Sequence, residues 1–97
     1  MDDLNDFRLF AIVVTEGSFA AAARRMGIPR SQVSRRIQGL EDHLGLRLVH
    51  RSPHSFTVTD IGQEFYTHCL AMLDEAEAAA EVIQRQKSEP QGMVRVS

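Results

Sequence analysis

Apolar residues recur along most of this 97-residue chain at spacings of three and four, the pattern of helices with one buried face. Residues 4–15 form the first such segment. Its apolar stripe consists of Leu4, Phe7, Phe10 or Ala11, and Val14. Leu9, Ile12 and Val13 make the stripe wider than one packing partner requires, so we expect part of this helix to lie against another subunit.

The segment from Ser18 to Arg36 predicts two short helices joined by a tight turn. Ser18 is a favourable N-cap for the first helix, and Gly27 suits the left-handed conformation in which helices often end. Pro29 fixes φ at the start of the second helix. This order of signals is that of a helix-turn-helix, in which the second helix enters the major groove of DNA.

The second of these helices has a buried side and a polar side. Val33, Ile37 and Leu40 fall at helical spacing, and Gly45 predicts an end near Leu44. The polar residues of its first turns are Arg30, Ser31, Gln32, Ser34, Arg35 and Arg36. Arginine can bind guanine with two hydrogen bonds, glutamine can pair with adenine, and serine can reach base edges or phosphates. We therefore predict that this polar side reads DNA.

After Gly45 the spacing of apolar residues changes from three and four to two, which predicts a two-stranded hairpin, or wing. Leu46 and Leu48 alternate with Arg47, Val49 and Arg51, and Phe56 to Thr59 is rich in strand-forming residues. The turn and its flanks carry Arg51, Ser52, Pro53, His54 and Ser55. A hairpin beside the recognition helix can contact phosphates or the minor groove. His54 is equally well explained as an exposed loop residue.

Thr59 is a favourable N-cap for a long helix, which we predict to run to about Lys87. Such a helix would be roughly 40 Å long, more than a domain of this size covers by itself. The residues predicted to pair it with a second copy are Phe65, Cys69, Met72, Leu73, Ala76, Ala80 and Ile83. Packing within the chain's own domain is the alternative, and we prefer it for residues 61–69. Residues 89–97 are expected to form a hinge and the first strand of an absent domain.

The net charge of −2 conceals a segregated charge distribution. Residues 24–51 contain seven arginines and two acidic residues, whereas the remainder contains four basic and eleven acidic residues. A basic centre between acidic ends favours phosphate attraction on one face. The basic segment coincides with the predicted helix-turn-helix. This favours a DNA-binding protein over a protein-interaction module that has the helix-turn-helix shape but does not bind DNA.

The sequence gives little support for a catalytic site, a metal site or a cofactor site. Its histidines lie at no metal-ligand spacing with Cys69, and its carboxylate-rich stretch is better explained as the solvated face of a helix. A lone cysteine in an apolar stripe is usually a packing residue, although a redox sensor is an alternative. One cysteine, no apolar span and an acidic N-terminus lead us to expect a cytoplasmic protein.

Taken together, these motifs resemble the N-terminal DNA-binding domain of LysR-type transcriptional regulators. The matching stretches are LFAIVVTEGSFAAAARRMGI, QVSRRIQGLEDHLGLRLVHR, TVTDIGQEFY and GMVRVS. The resemblance implies a mainly α-helical winged helix-turn-helix over residues 1–59, a linker and dimerisation helix over 60–88, and the beginning of an effector-binding domain over 89–97. It also implies a homodimer, or a higher oligomer at full length, on an interrupted palindromic operator.

The same resemblance assigns roles to individual residues. Base contacts would fall on Arg30, Ser31, Ser34 and Arg35, and phosphate contacts on Arg36 and Arg51. Two positions depart from the usual family pattern. Arg30-Ser31 stands where many members have Gln-Pro, and arginine at position 30 favours guanine over adenine. Pro53-His54 stands where the wing often carries a basic residue, which is expected to weaken anchoring in the minor groove at neutral pH.

Overall fold

The first helix lies at the centre of the fold, and other helices of the same chain cover it. The structure, a computed structural model, describes residues 4–52 and 55–88. Its elements are α1 (Leu4–Glu16), α2 (Phe19–Met26), α3 (Arg30–Leu44), β1 (Val49–Ser52), β2 (Ser55–Val58) and α4 (Asp60–Ser88). Helix α1 packs against α2, α3 and α4, and Leu9, Ile12 and Val13 are all buried inside the chain. The expectation that these three residues lie against another subunit is therefore wrong.

The predicted helix-turn-helix is confirmed together with its caps. The Ser18 hydroxyl accepts a hydrogen bond from the backbone N–H of Ala21 at 3.0 Å. Gly27 ends α2 in the left-handed region with a φ of 71°, and its N–H donates to the carbonyl of Ala23 at 2.8 Å. Gly45 ends α3 in the same way with a φ of 72°. A Cβ is disfavoured in this region, which explains glycine at both helix ends.

The predicted wing is also present, but its first strand begins later than the alternation suggested. Strands β1 and β2 pair antiparallel, with Val49 opposite Val58 and Ser52 opposite Ser55. Leu46 is exposed, whereas Leu48 and Val49 are both buried. Alternation predicted opposite faces for Leu48 and Val49, and that prediction is wrong because Leu48 precedes the strand. Pro53 and His54 lie outside the described residues.

Helix α4 begins where Thr59 ties it to the wing. The Thr59 hydroxyl accepts from the N–H of Gly62 at 3.0 Å and donates to the carbonyl of Arg47 at 2.8 Å. The first part of α4 packs on α1, with the Phe65 ring 5.4 Å from those of Phe7 and Phe10. From residue 74 onward every described residue of α4 is exposed.

The long helix makes the molecule elongated, with a largest extent of 60 Å. Among the described residues, no helix combines the length and the apolar character needed to cross a membrane. The hinge and strand predicted over 89–97 lie outside the described residues.

Candidate nucleic-acid interface

An open groove runs between the N-terminal half of α3 and the wing, with the start of α2 as its floor. Its described wall contains three arginines and no acidic residue. The residues that line it are Gly17, Ser18, Phe19, Ala20, Arg30, Ser31, Ser34, Arg35, Gln38, Arg51, Ser52, Ser55 and Phe56. The helix-turn-helix and the wing thus contribute to one continuous surface.

Helix α3 presents its polar residues to this groove at helical spacing. Arg30, Ser31, Ser34 and Arg35 lie on one side of the helix, and the two arginines are exposed. Neither arginine forms an ion pair with any residue of 4–52 or 55–88. Their guanidinium groups are therefore free to bind an external acceptor, and arginine favours phosphates and guanine edges.

The N-terminus of α3 adds to the positive character of the groove. Its N-cap residue is Pro29, which gives no side-chain hydrogen bond to the first turn. The first N–H groups of a helix lack intrahelical partners and carry the positive end of its dipole. An anion near Arg30 would be stabilised by that dipole as well as by the side chain.

Arg51 is placed differently, because the chain itself binds its guanidinium group. Its Nη1 donates to Oε1 of Gln38 at 3.0 Å, and its Nη2 lies 3.2 Å from Oε1 of Glu41. The guanidinium carbon also lies 5.3 Å from the centre of the Phe19 ring. Arg51 therefore connects the wing to α3 and α2, although it borders the groove.

Glu41 is the buried centre of that connection. Only 4% of the residue is exposed. Its Oε2 accepts from the backbone N–H groups of Leu48 at 2.7 Å and Val49 at 3.0 Å, while Oε1 faces Arg51. The carboxylate thus satisfies two buried donors at the start of β1, and this explains why Leu48 and Val49 are both drawn inward.

Two predicted DNA-binding residues of α3 lie outside the groove. Gln32 is exposed but does not border it. Arg36 lies on the side of α3 that faces α1, where its Nη2 is 3.3 Å from Oδ1 of Asp6. Its position does not support the predicted phosphate contact.

The sequence analysis missed Gln38 of the groove, and it named Ser52 and Ser55 only as part of the wing turn. Gln38 lies two helical turns after Arg30, and Ser52 and Ser55 close the wing opposite each other with their hydroxyl oxygens 2.6 Å apart. The sequence contained a signal for Gln38, because its spacing of four from Ser34 places it on the same face. The facing positions of Ser52 and Ser55 follow from the strand register, which the turn residues alone do not define.

A second groove lies between α1 and the middle of α4. It is lined by Arg8, Ala11, Ile12, Thr15, Arg25, Leu70, Leu73, Ala76, Glu77 and Ala80. Of the residues predicted to contact a second copy, Leu73, Ala76 and Ala80 border this groove, and Met72 and Ile83 are exposed. Phe65 packs mainly in its own domain. Cys69 is fully buried inside the chain, which agrees with the own-domain packing preferred for residues 61–69 and contradicts its place among the residues predicted to contact a second copy.

The environment of Cys69 also bears on its chemistry. Burial raises the pKa of its thiol to about 11. Since the thiolate is the reactive form, a thiol with this pKa reacts slowly at neutral pH. Within the described residues, no group of three His, Cys, Asp or Glu side chains is placed to hold a metal ion.

Comparisons with known proteins agree with this geometry. Residues 4–63 match the family described as "Bacterial regulatory helix-turn-helix protein, lysR family". A transcriptional regulator of the helix-turn-helix type from Xanthomonas campestris pv. campestris (strain 8004) is 41% identical over 93 residues, which are 96% of this chain and 27% of that protein. A transcriptional repressor from Pseudomonas aeruginosa (strain UCBPP-PA14) is 33% identical over 99% of this chain and 30% of its own length.

A solved structure of similar shape comes from the BenM_DBD/catB site 1 DNA complex. It superimposes with a TM-score of 0.83 at 32% identity and covers 91% of this chain and 99% of the BenM chain. The chain therefore spans about a third or less of its curated relatives but nearly all of this separate DNA-binding domain.

Proposed function

Because the chain belongs to the LysR family of bacterial helix-turn-helix regulators, we propose that it recognises a specific DNA sequence and contacts the duplex through the groove between α3 and the wing. The observation that carries the proposal is a pair of exposed arginines, Arg30 and Arg35, which have no ion-pair partner among the described residues and lie in a groove whose described wall has no acidic residue. The BenM domain in the similar structure is bound to DNA, which supports the same use here.

Each side of the groove has a distinct role in this proposal. Arg30, Ser31, Ser34 and Arg35 contact base edges in the major groove, where arginine favours guanine. Ser52 and Ser55 of the wing lie beside them and contact the sugar-phosphate backbone. We propose DNA contacts also for Pro53 and His54, which lie between these serines in the sequence. Base contacts supply the specificity, and phosphate contacts fix the orientation of the domain on the duplex.

We propose further that two copies bind an interrupted palindrome. The described part of α4 beyond residue 73 is exposed on all sides, and the apolar residues Val82 and Ile83 are about half exposed. Pairing through this helix would place two recognition helices at a fixed separation, which palindromic half-sites match. Residues 1–59 would be the reading unit, and 60–88 the linker. In a longer chain, an effector would act through a domain that begins in 89–97.

The proposal is tested by selecting binding sites from a random duplex pool with this 97-residue protein at two salt concentrations. We expect an enriched interrupted palindrome with guanine at positions facing Arg30 and Arg35. The variant Arg30→Ala/Arg35→Ala should lose the enrichment and keep a weaker, salt-sensitive association.

Other outcomes would contradict particular parts of the proposal. Enrichment of a single half-site would exclude a dimer on DNA. Salt-sensitive retention without enrichment would exclude sequence recognition by this domain alone. Absence of binding at low salt would exclude the DNA-binding function and favour an interaction module.

A further inference from the structure

The wing has few contacts of its own with which to hold its position. Each strand has four residues, and a two-stranded hairpin of that size is marginal in water without further packing. Besides the apolar packing of Val49 and Val58 on the core, its described side-chain links to the helix-turn-helix are the Arg51 contacts with Gln38, Glu41 and Phe19 and the packing of Phe56 on Phe19, whose rings are 5.5 Å apart. The orientation of the wing therefore depends on a small set of side chains.

Glu41 connects α3 to strand β1 at two points. One carboxylate oxygen holds the backbone where β1 begins, and the other lies beside the guanidinium group in the middle of β1. The residue itself belongs to α3, two helical turns after the residues that face DNA in the proposed function. A buried carboxylate with fixed partners transmits the position of one element to the next, because moving either element would leave a buried charge unpaired.

We propose that Glu41 is a positioning residue for DNA binding, which acts through Arg51 to hold the wing at a fixed place beside the recognition helix. The proposal rests on the proposed function above. It also assigns Arg51 to the wing-helix connection in place of a primary phosphate contact. Glu41 itself does not border the groove, so its effect on DNA must pass through Arg51 and β1.

The proposal predicts that removing the Glu41 carboxylate weakens DNA binding, whereas the change of charge alone would strengthen it. Removing a carboxylate next to a basic groove makes the surface more positive, which by itself would strengthen attraction to phosphates. A displaced wing would instead lose phosphate contacts and weaken binding. The sign of the change in affinity therefore separates positioning from simple electrostatics.

Glu41→Gln is the informative substitution. The amide oxygen of glutamine can still accept from the N–H groups of Leu48 and Val49, whereas its NH₂ group would face the Arg51 donors. Arg51→Lys is the second variant, because it keeps the charge but loses the planar fork that reaches Gln38 and Glu41 together. Glu16→Gln is the matched control, since Glu16 pairs with Arg25 at 3.0 Å and does not border the groove.

The experiment has one readout without DNA and one with it. Side-chain NMR of Arg51 reports whether its guanidinium group rotates slowly, as expected for a group held by Gln38 and Glu41. Affinity for the duplex enriched in the selection, and for a random duplex, is then measured over a range of salt concentrations, with thermal unfolding as the check of folding.

We expect Glu41→Gln to abolish the slowly rotating Arg51 signal and to lower DNA affinity about tenfold. The slope of log affinity against log salt should stay nearly constant, because Ser52 and Ser55 are uncharged, whereas a purely electrostatic effect of the lost carboxylate would steepen it. Arg51→Lys should lower affinity similarly, and the double variant should add little because both changes break one connection. Glu16→Gln should retain the affinity and salt slope of the unaltered protein.

Two results would overturn the proposal while leaving the proposed function intact. The first is unchanged or tighter DNA binding by a folded Glu41→Gln variant. The second is unchanged DNA binding by Arg51→Lys. The second result also decides the question if Glu41→Gln does not fold. Failure of the unaltered protein to bind any duplex would overturn both proposals. In that case the Arg51 signal would still show whether the Glu41 connection exists.

Discussion

At the scale of single residues, the arginines of this chain differ chiefly in their partners. Arg36 and Arg51 are paired with Asp6 and Glu41, whereas Arg30 and Arg35 have no ion-pair partner in the described parts of the chain. A guanidinium group that already has a carboxylate partner must give it up to bind a phosphate, which weakens the net gain. Pairing therefore separates arginines that stabilise the domain from those available to DNA.

The first residue-scale prediction concerns the base preference of Arg30. Arg30→Gln should shift one position of the selected site from guanine to adenine, because glutamine binds adenine with two hydrogen bonds. Affinity for the original site should fall by about 1–3 kcal/mol. Site selection with the variant measures both effects, and Gln32→Ala, which changes an exposed residue outside the groove, is the control. An unchanged guanine preference in Arg30→Gln would show that Arg30 does not read that base.

A second prediction follows from the pKa of Cys69, which burial raises from 9.0 to about 11. The folded state keeps its proton at pH values where the unfolded state has lost it, so this residue's stabilising contribution is complete below pH 9. It is lost between about pH 9 and 11, at up to about 1.4 kcal/mol per pH unit.

Urea unfolding of the unaltered protein and of Cys69→Ala from pH 8 to 11 tests this contribution. The free energy of unfolding of the unaltered protein should fall more steeply above pH 9, since alanine does not titrate. Parallel curves for the two proteins would mean that burial does not perturb the thiol.

Residue types were easier to predict than residue partners. The polar face of α3 follows from helical spacing alone, so Arg30, Ser31, Ser34 and Arg35 were found in the sequence and lie together in the groove. The pairing of Arg36 with Asp6 joins residues thirty positions apart. Nothing in local spacing specifies such a contact, because it depends on how α1 crosses α3.

At the scale of elements, the close approach of α4 to the wing depends on Gly62. A Cβ at this position would lie 2.7 Å from Cγ1 of Val58 and would overlap the carbonyl oxygen of Leu48. Gly62→Ala should therefore lower the free energy of unfolding by about 1–3 kcal/mol, the usual cost of overpacking.

Gly39→Ala is the matched control for this element-scale prediction. Gly39 lies inside α3, and a Cβ there would meet no atom within 4 Å. Alanine should stabilise this helix by about 0.5–1 kcal/mol, because glycine loses more backbone entropy on folding. Denaturant unfolding of both variants should thus give changes of opposite sign. A stability gain in Gly62→Ala would show that α4 and the wing separate easily.

Helix ends were predictable because their signals are local. Ser18, Gly27, Gly45 and Thr59 each act within four residues, and all four cap a helix where the sequence indicated. The start of β1 was not predictable in this way. It is determined by the Glu41 carboxylate seven residues before Leu48, which appeared in the sequence as an ordinary helical acid.

At the scale of the whole molecule, α4 is too long for the domain that carries it. Its 29 residues correspond to roughly 43 Å, yet within the helix only Gly62 and Cys69 are buried. The sequence suggested this imbalance correctly, because the apolar stripe continues past the residues that one small domain can cover. The sequence could not show where the domain's own packing stops, since that depends on the crossing of α1 and α4.

The last prediction tests what covers the remainder of α4. Ala80 borders the groove between α1 and α4, whereas Ala78 lies on the opposite side of the helix and is exposed. If two copies pair through this groove, a charge at Ala80 would be buried without a partner, whereas a charge at Ala78 would remain in water. Ala80→Glu should therefore convert a dimer into monomers, and Ala78→Glu should not.

Sedimentation equilibrium of the two variants gives their masses directly, and the matched Ala→Glu change holds helix propensity and net charge constant. DNA binding extends the test, because loss of the dimer should reduce affinity for a two-half-site duplex far more than for a single half-site. Equal masses for the two variants would rule out this face of α4 as the dimer contact. A dimeric Ala80→Glu that lost DNA affinity would instead place the effect of the charge in the reading domain, since α1 forms the other wall of the groove.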